Sequence, residues 1–247
     1  QVDGSYRLSG SSHFVIDAPG AQLLAVAALS EGAKRLFLVT ADQAGVDTEW
    51  LARRDITRQV AHVHFRDAAC EPMPGAWENT WPALRNRLHL ALAAESAGGL
   101  QAVLDDTTAY VKERVAFGRP IGAFQSIKHG LADMLAQTEC TQTAVLYAAW
   151  AQSQAKRTAA LASAMAQAYA SEAYRDATHR SIQMFGAIGF TWEMKNHLYF
   201  KRARANAEWL GSPARLRELI ARTLESTAST PARLPFPHDP TTRRPPP

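Results

Sequence analysis

The stretch Glu113–Met134, ERVAFGRPIGAFQSIKHGLADM, separates two long helical patterns. Its breakers lie between Phe117 and Gly122, where two glycines and a proline stop a helix: proline lacks the donor that a helix interior needs, and glycine turns freely. Upstream, Leu88, Leu92, Leu100, Val103, Leu104 and Val111 recur at helical spacing through the Gly98-Gly99 pair. Thr80 followed by Pro82 reads as the start of that helix. The expectation is roughly 30 residues and ~45 Å, with the glycines admitting a close neighbour. Downstream, Ile127, Leu131, Met134, Leu135, Thr138, Val145, Leu146 and Ala149 mark one face of a second helix. A third covers Thr158 to Phe185, with Leu161, Met165, Ala168 and Tyr169 on its apolar side, and shorter helices cover His197–Leu210 and Pro213–Leu224. Long amphipathic helices joined by short connections bury their stripes in an antiparallel bundle.

The first 70 residues have another texture. YRLSGSSHFVID, AQLLAVAAL, RLFLVTA and AHVHFRD are of strand length and are separated by Gly, Pro, Asp or polar breaks, with Val60, Val63 and Phe65 as half-buried positions. They read as part of an antiparallel β domain. Gln1 already lies in strand-like sequence, so the chain is expected to lack its true N-terminus. The tail from Ser226, STASTPARLPFPHDPTTRRPPP, is too rich in Pro, Ser and Thr to build a core and is expected to be disordered or extended. The expected division is 1–76, 77–225 and 226–247.

Hydrophobic content of 47% with 20% charged residues is that of a globular chain. The net charge of +4 is scattered rather than blocked, which argues against a nucleic-acid groove and equally suits an anionic ligand bearing phosphates. Cys70 and Cys140 are the two cysteines, too few for a disulfide framework and without the spacing of a metal site. A reducing cytoplasm is the expected location. No apolar run approaches the ~20 residues that span a bilayer, and no signal peptide opens the sequence.

Four strings in order, AAESAGGLQAVLD (Ala93–Asp105), ERVAFGRPIGAFQSIKHGLADM, QMFGAIGFTWE (Gln183–Glu193) and HLYFKRA (His197–Ala203), resemble the acyl-CoA dehydrogenase family, and the likeness runs from residue 1 to about Ile220. The resemblance implies an α+β fold: part of the middle antiparallel β domain followed by a C-terminal antiparallel four-helix bundle. It also implies α,β-dehydrogenation of an acyl-CoA thioester, with FAD as cofactor and electron-transfer flavoprotein as electron acceptor. On this resemblance Arg114 reaches the FAD pyrophosphate, with Phe117 and Gln125 beside it, and the guanidinium fork matches phosphate oxygens. Gln183, Gly186 and Gly189 resemble the segment that approaches the adenosine part. In this family the helix that carries Arg114 often serves the cofactor of the neighbouring subunit.

The pattern fails at the catalytic base. Where the family has an aromatic-Glu-Gly-Thr/Ser motif, this chain reads Trp209-Leu210-Gly211-Ser212, and the alternative seat on the first long helix is Leu88. An isobutyl group accepts no proton. His89 matches a position that is often arginine and helps order the substrate pocket. Glu95, Glu208 and Glu193 are the other acidic candidates, each read as structural first. Phe14 and Ile16 stand where relatives have an aromatic and, two residues on, a Thr or Ser facing the flavin. The chain therefore resembles the base-less subunit of heteromeric bacterial acyl-CoA dehydrogenases of sterol or other bulky-acyl degradation. Its implied partner is a glutamate-bearing subunit in an α2β2 assembly. An autonomous flavoenzyme with a displaced base and a flavin-free scaffold are the alternatives.

Overall fold

A computed structural model describes residues 5–228. Gln1 and residues 229–247 of the proline-rich tail lie outside them.

Strands β1 (Tyr6–Ile16), β2 (Leu23–Ser30), β3 (Ala33–Thr40), β4 (Val46–Trp50) and β5 (Val60–Pro72) form an antiparallel sheet in the order β1-β5-β3-β2, with β4 also on β5. β5 is the spine: it pairs with β1 from Tyr6↔Cys70 to Ile16↔Val60, with β4 from Val46↔Phe65 to Trp50↔Ala61, and with β3 only at Phe37↔Pro72 and Leu38↔Glu71. One strand feeding two sets of neighbours curls the sheet around a core of Leu24, Val26, Val39, Ala61, Val63, Phe65 and Ala68. Strand alternation makes Ala61, rather than Val60, the buried companion of Val63 and Phe65. β4, VDTEW, was not expected, because five mostly polar residues on a sheet edge carry no apolar alternation. A register shift in β1 between Ser12 and Val15 spans Phe14, whose φ of 56° turns its ring outward against His62.

The remainder is helical: α1 (Trp77–Glu113), α2 (Gln125–Ser153), α3 (Ala159–Phe185), α4 (Asn196–Glu208) and α5 (Pro213–Ala228). α3 is central and packs on the other four. α1 has 37 residues, about 55 Å, and starts earlier than expected, with Pro82 inside it. Thr80 is no cap, for its hydroxyl donates back to the Ala76 carbonyl at 3.0 Å. Gly99 accounts for a close approach, since a Cβ there would stand 2.5 Å from the Tyr174 ring, whereas Gly98 faces open space. α4 stops two residues before Leu210, and α5 runs through Ala228, three residues into the expected tail.

The inward faces correct the expected stripes. On α3 most of the buried residues are small, among them Ala162, Ala166, Ala170, Ala173 and Ala177, with Ser163, Ser171, Thr178 and Ser181, and Gln167, Tyr174 and Phe185 are the large ones. Those hydroxyls are satisfied, Ser171 donating to the Gln167 carbonyl at 2.7 Å and Ser181 receiving Thr107 at 2.8 Å and Asn196 at 2.7 Å. Met165 and Tyr169 are exposed, as are Leu135, Leu146 and Ala149 on α2, while Met134 and Thr138 are buried. Large apolar side chains at helical spacing thus mark much of the outside of the α2–α3 pair, and one part of its inside is lined by alanine, the other by Met134 and Tyr174.

Candidate functional site

At the C-terminal end of α1, Arg114 caps the helix through its N–H on the Tyr110 carbonyl, 2.9 Å, and the chain then folds into a short hairpin, Val115–Ala116 against Arg119–Pro120. Phe117 and Gly118 turn it with φ of 54° and 76°. The left-handed conformation costs a non-glycine residue roughly 1–2 kcal/mol, and here it leaves the Phe117 ring 94% exposed. Arg119 lies over Phe124 at 4.3 Å. Neither the Arg114 guanidinium nor the Gln125 amide has a hydrogen-bond or ion-pair partner among the described residues.

The same end of the bundle holds the second string. Tyr110 stacks on Phe185 at 3.9 Å, joining the last turns of α1 and α3, so Arg114, Phe117, Gln125, Gln183, Gly186 and Gly189 share one region. Gln183 and Gly186 are exposed. Both glycines also have reasons within the chain. Gly186 ends α3 with φ 70°, its N–H on the Ile182 and Gln183 carbonyls, and a Cβ on Gly189 would press on Phe185 at 2.8 Å.

About 37 Å back along α1, 25 residues at 1.5 Å each, lie the positions where the resemblance puts a base. Leu88 is exposed at mid-helix, and Leu210 follows the end of α4 with φ 60° ahead of Gly211 at 117°. Beside Leu210, a cleft of ≈ 820 Å³ opens between α1 and α5, lined by Trp81, Arg85, His89, Arg215, Leu216 and Arg222 among others. His89 is 1% exposed, and neither ring nitrogen makes a hydrogen bond. Burial, and then the Arg85 charge, hold its pKa below the ordinary 6.5. The Leu210 backbone opposes this only weakly, being near the ring without meeting hydrogen-bond geometry. The imidazole is therefore neutral at pH 7.

Glu95, the nearest carboxylate on α1, is fully engaged. It accepts from Arg58, from Arg202 at 2.5 Å and from Asn206 at 3.3 Å. Arg202 also donates to Asp55 at 2.7 Å and to Thr57 at 2.6 Å, so this network ties the segment before β5 to α1 and α4. Burial pushes the Glu95 pKa up, but hydrogen bonds from Arg202 and Arg58 outweigh it and leave a lowered value. A carboxylate held ionised and immobile in this way is a poor base. Glu193 is fully exposed and lowered by its Thr191 hydrogen bond. Glu208 lines a second, basic cleft of ≈ 460 Å³ with Arg53, Arg54, Arg58, Lys201, Arg204 and Trp209.

A family model for the C-terminal domain of acyl-CoA dehydrogenases matches residues 84–225, more than half of the chain. The chain belongs to the acyl-CoA dehydrogenase family. Acyl-CoA dehydrogenase IpdE2 of Mycobacterium tuberculosis is 35% identical over 196 residues, which covers 76% of this chain and 56% of the relative. A variant of the Tcur3481-Tcur3483 steroid ACAD superposes with TM-score 0.85 and 26% identity over 93% of this chain and 62% of that one. The ChsE4-ChsE5 complex from Mycobacterium tuberculosis does so with TM-score 0.82 and 28% identity, over 94% and 62%. The chain spans a little over half the length of these proteins.

Within this acyl-CoA dehydrogenase framework, sequence reasoning named the Arg114 and Gln183 strings, which the fold brings together, and named Leu88, His89 and Leu210, of which it brings the last two together. It missed the cleft. Arg85 stands four residues before His89 on the same helix face, a spacing visible in the sequence, but Arg215 and Arg222 arrive from α5, more than a hundred residues on. It also gave no role to Arg202, inside a quoted string, because Asp55, Arg58 and Glu95 are remote in sequence. Among the described residues no helix is long and apolar enough to cross a membrane.

Proposed function

We propose that this chain is a base-less subunit of an FAD-dependent acyl-CoA dehydrogenase and completes flavin sites with a glutamate-bearing partner subunit. The observation that carries this reading is a separation. Both base seats are leucine and the nearest carboxylate is locked in ion pairs, while unspent polar groups gather about 37 Å away at the other end of α1. No residue at one end touches a group reacting at the other.

The residues at that far end fit the cofactor. A free guanidinium, a free amide and an exposed ring, presented on a hairpin held in a left-handed turn, suit a nucleotide pyrophosphate lying outside this chain's own surface. When bound, FAD supplies the hydride acceptor for acyl-CoA dehydrogenation. Arg114 then holds phosphate oxygens, Gln125 donates beside it, and Phe117 covers the ligand from water. Proton abstraction belongs to the partner's glutamate, and electron-transfer flavoprotein takes the electrons. The sheet and the bundle act as two domains of this subunit.

The outer face of α2 and α3 supports a partner chain. Tyr147 and Met165 line a shallow cleft along the α2–α3 seam, Trp150 lies 5.7 Å from Tyr147, and Leu146 is 71% exposed. Contiguous apolar surface of this kind marks an interface. A steroid ACAD among the similar structures supports a bulky acyl group as the substrate class. The test is co-expression with a glutamate-bearing homologue. A yellow complex that oxidises acyl-CoA, with this chain inactive alone, is the expected result; activity of the full-length chain alone overturns the proposal. In the complex, Arg114→Ala lowers flavin content, and unchanged flavin content removes Arg114 from the site.

A further inference from the structure

The outer face of the sheet carries a histidine cluster that the proposed function does not use. Between the pairs Ser12↔Val63 and Val15↔Ala61, β1 has two residues where β5 has one, so His13 and Phe14 both oppose His62. This bulge joins two imidazoles that lie 49 positions apart, a pairing that no spacing in the sequence announces. Their Nδ1 atoms are 3.1 Å apart, and their rings meet edge to face at 4.5 Å. Phe14 packs on the His62 ring at 5.2 Å, and Ser11 Oγ stands 3.2 Å from His13 Nε2. His62 alternates with the buried Ala61 and Val63, so the pair is open to solvent, with His13 exposed and His62 half-buried. Carboxylates share this face. β4 sets Glu49 directly opposite His62 and Asp47 opposite His64, and residues paired across strands lie on one side of a sheet. Glu49 already reaches His64, Oε2 to Nε2 3.4 Å. Among the described residues no three such side chains converge on one point, so the two Nδ1 atoms are the ligands already in place.

We propose that His13 and His62 chelate one divalent transition ion of the zinc, nickel and copper class through their Nδ1 atoms, with water and the Glu49 carboxylate filling the other positions. Imidazole nitrogens hold such an ion at roughly 2.0–2.1 Å. A separation of 3.1 Å then corresponds to a nitrogen–metal–nitrogen angle of about 98°, between the ~90° of a square site and the ~109° of a tetrahedral one. In the metal-free chain a proton lies between these two nitrogens in a hydrogen bond. The ion takes its place, and the proton moves to Nε2 of the ring that held it. On His13 that Nε2–H is received by Ser11 Oγ, the kind of outer partner that fixes the tautomer and the ring orientation of a metal-bound histidine. Glu49 and Asp47 favour a cation, and two nitrogen ligands disfavour Mg²⁺, which takes oxygen.

The test is calorimetric titration of the full-length, tag-free chain, in its complex if it purifies as one, with zinc chloride and separately with magnesium chloride. Uptake of Zn²⁺ that saturates below ~1 mM is expected, with no uptake of Mg²⁺ over the same range. His13→Ala and His62→Ala are each expected to weaken Zn²⁺ binding at least about tenfold, since loss of an outer partner alone usually costs that much. His129→Ala, on the exposed side of α2, is expected to leave it unchanged. Zn²⁺ uptake that survives both substitutions, falls with only one of them or is matched by Mg²⁺ overturns the proposal, as does a failure to saturate by ~1 mM. If either alanine variant does not fold, electron paramagnetic resonance of Cu²⁺ on the unaltered protein decides. Two imidazole nitrogens on one ion are expected, and one or none overturns the proposal.

Discussion

Glu95 and His89 sit six residues apart on α1, about 9 Å along its axis, and their surroundings treat them in opposite ways. Glu95 is met by two arginines and an asparagine drawn from the segment before β5 and from α4, and its charge is stabilised. His89 is buried more deeply and meets no partner. A polar side chain inside a protein is either tied into the fold or left open at an expense in stability. The satisfied group holds the fold together, and the unsatisfied one contributes no such tie.

The strongest way to break the comparison is at Arg202. Arg202→Met takes the arginine from Asp55 and leaves Glu95 with Arg58 and Asn206, and is expected to lower stability by about 3 kcal/mol, toward the lower end for a broken buried pair, read as a fall in the denaturation midpoint. A loss below about 1 kcal/mol shows the network to be a solvated surface pair instead. Gly99→Ala, one turn beyond Glu95, tests how tightly that end is packed. A methyl 2.5 Å from the Tyr174 ring is expected to cost about 2 kcal/mol by overpacking, measured in the same way.

His89→Leu is expected to go the other way, neutral or stabilising by up to about 1 kcal/mol in chemical denaturation, because an apolar side chain replaces two unpaired nitrogens. A clear destabilisation means that His89 has a partner in the folded chain. The pH profile separates the two sites with the smallest signal. His89 has a lowered pKa, so protons favour the unfolded state and stability falls as pH drops below 6.5. Glu95 and Asp55 are also lowered, so their contribution is present above their ordinary values of 4.5 and 3.8 and is lost as pH falls further. His89→Leu is expected to flatten the first segment and Glu95→Gln the second.

How much of this was legible in the sequence follows the range of the interactions. The three long helices and their breakers are local, and periodicity located them to within a few residues. β4 escaped because an edge strand of five mostly polar residues has no buried face to announce it. On α3, periodicity found Met165 and Tyr169 and assigned them to the core, although they point outward. Spacing shows that an apolar stripe is covered by something, and whether the cover is this chain or another depends on contacts the spacing does not contain. The Arg114 string was legible as a motif, and its exposure, with donors unspent, appears only in the fold. The cleft was illegible because its two walls are separate in sequence.

The outward stripe on α2 and α3 also has a bearing on life inside a cell. With Leu146, Tyr147, Trp150 and Met165 uncovered, a copy on which no other chain sits presents the kind of surface that chaperones hold and proteases clear. On the proposed pairing, abundance is governed by whichever subunit is scarcer, and matched synthesis of the two chains follows from the packing of these helices.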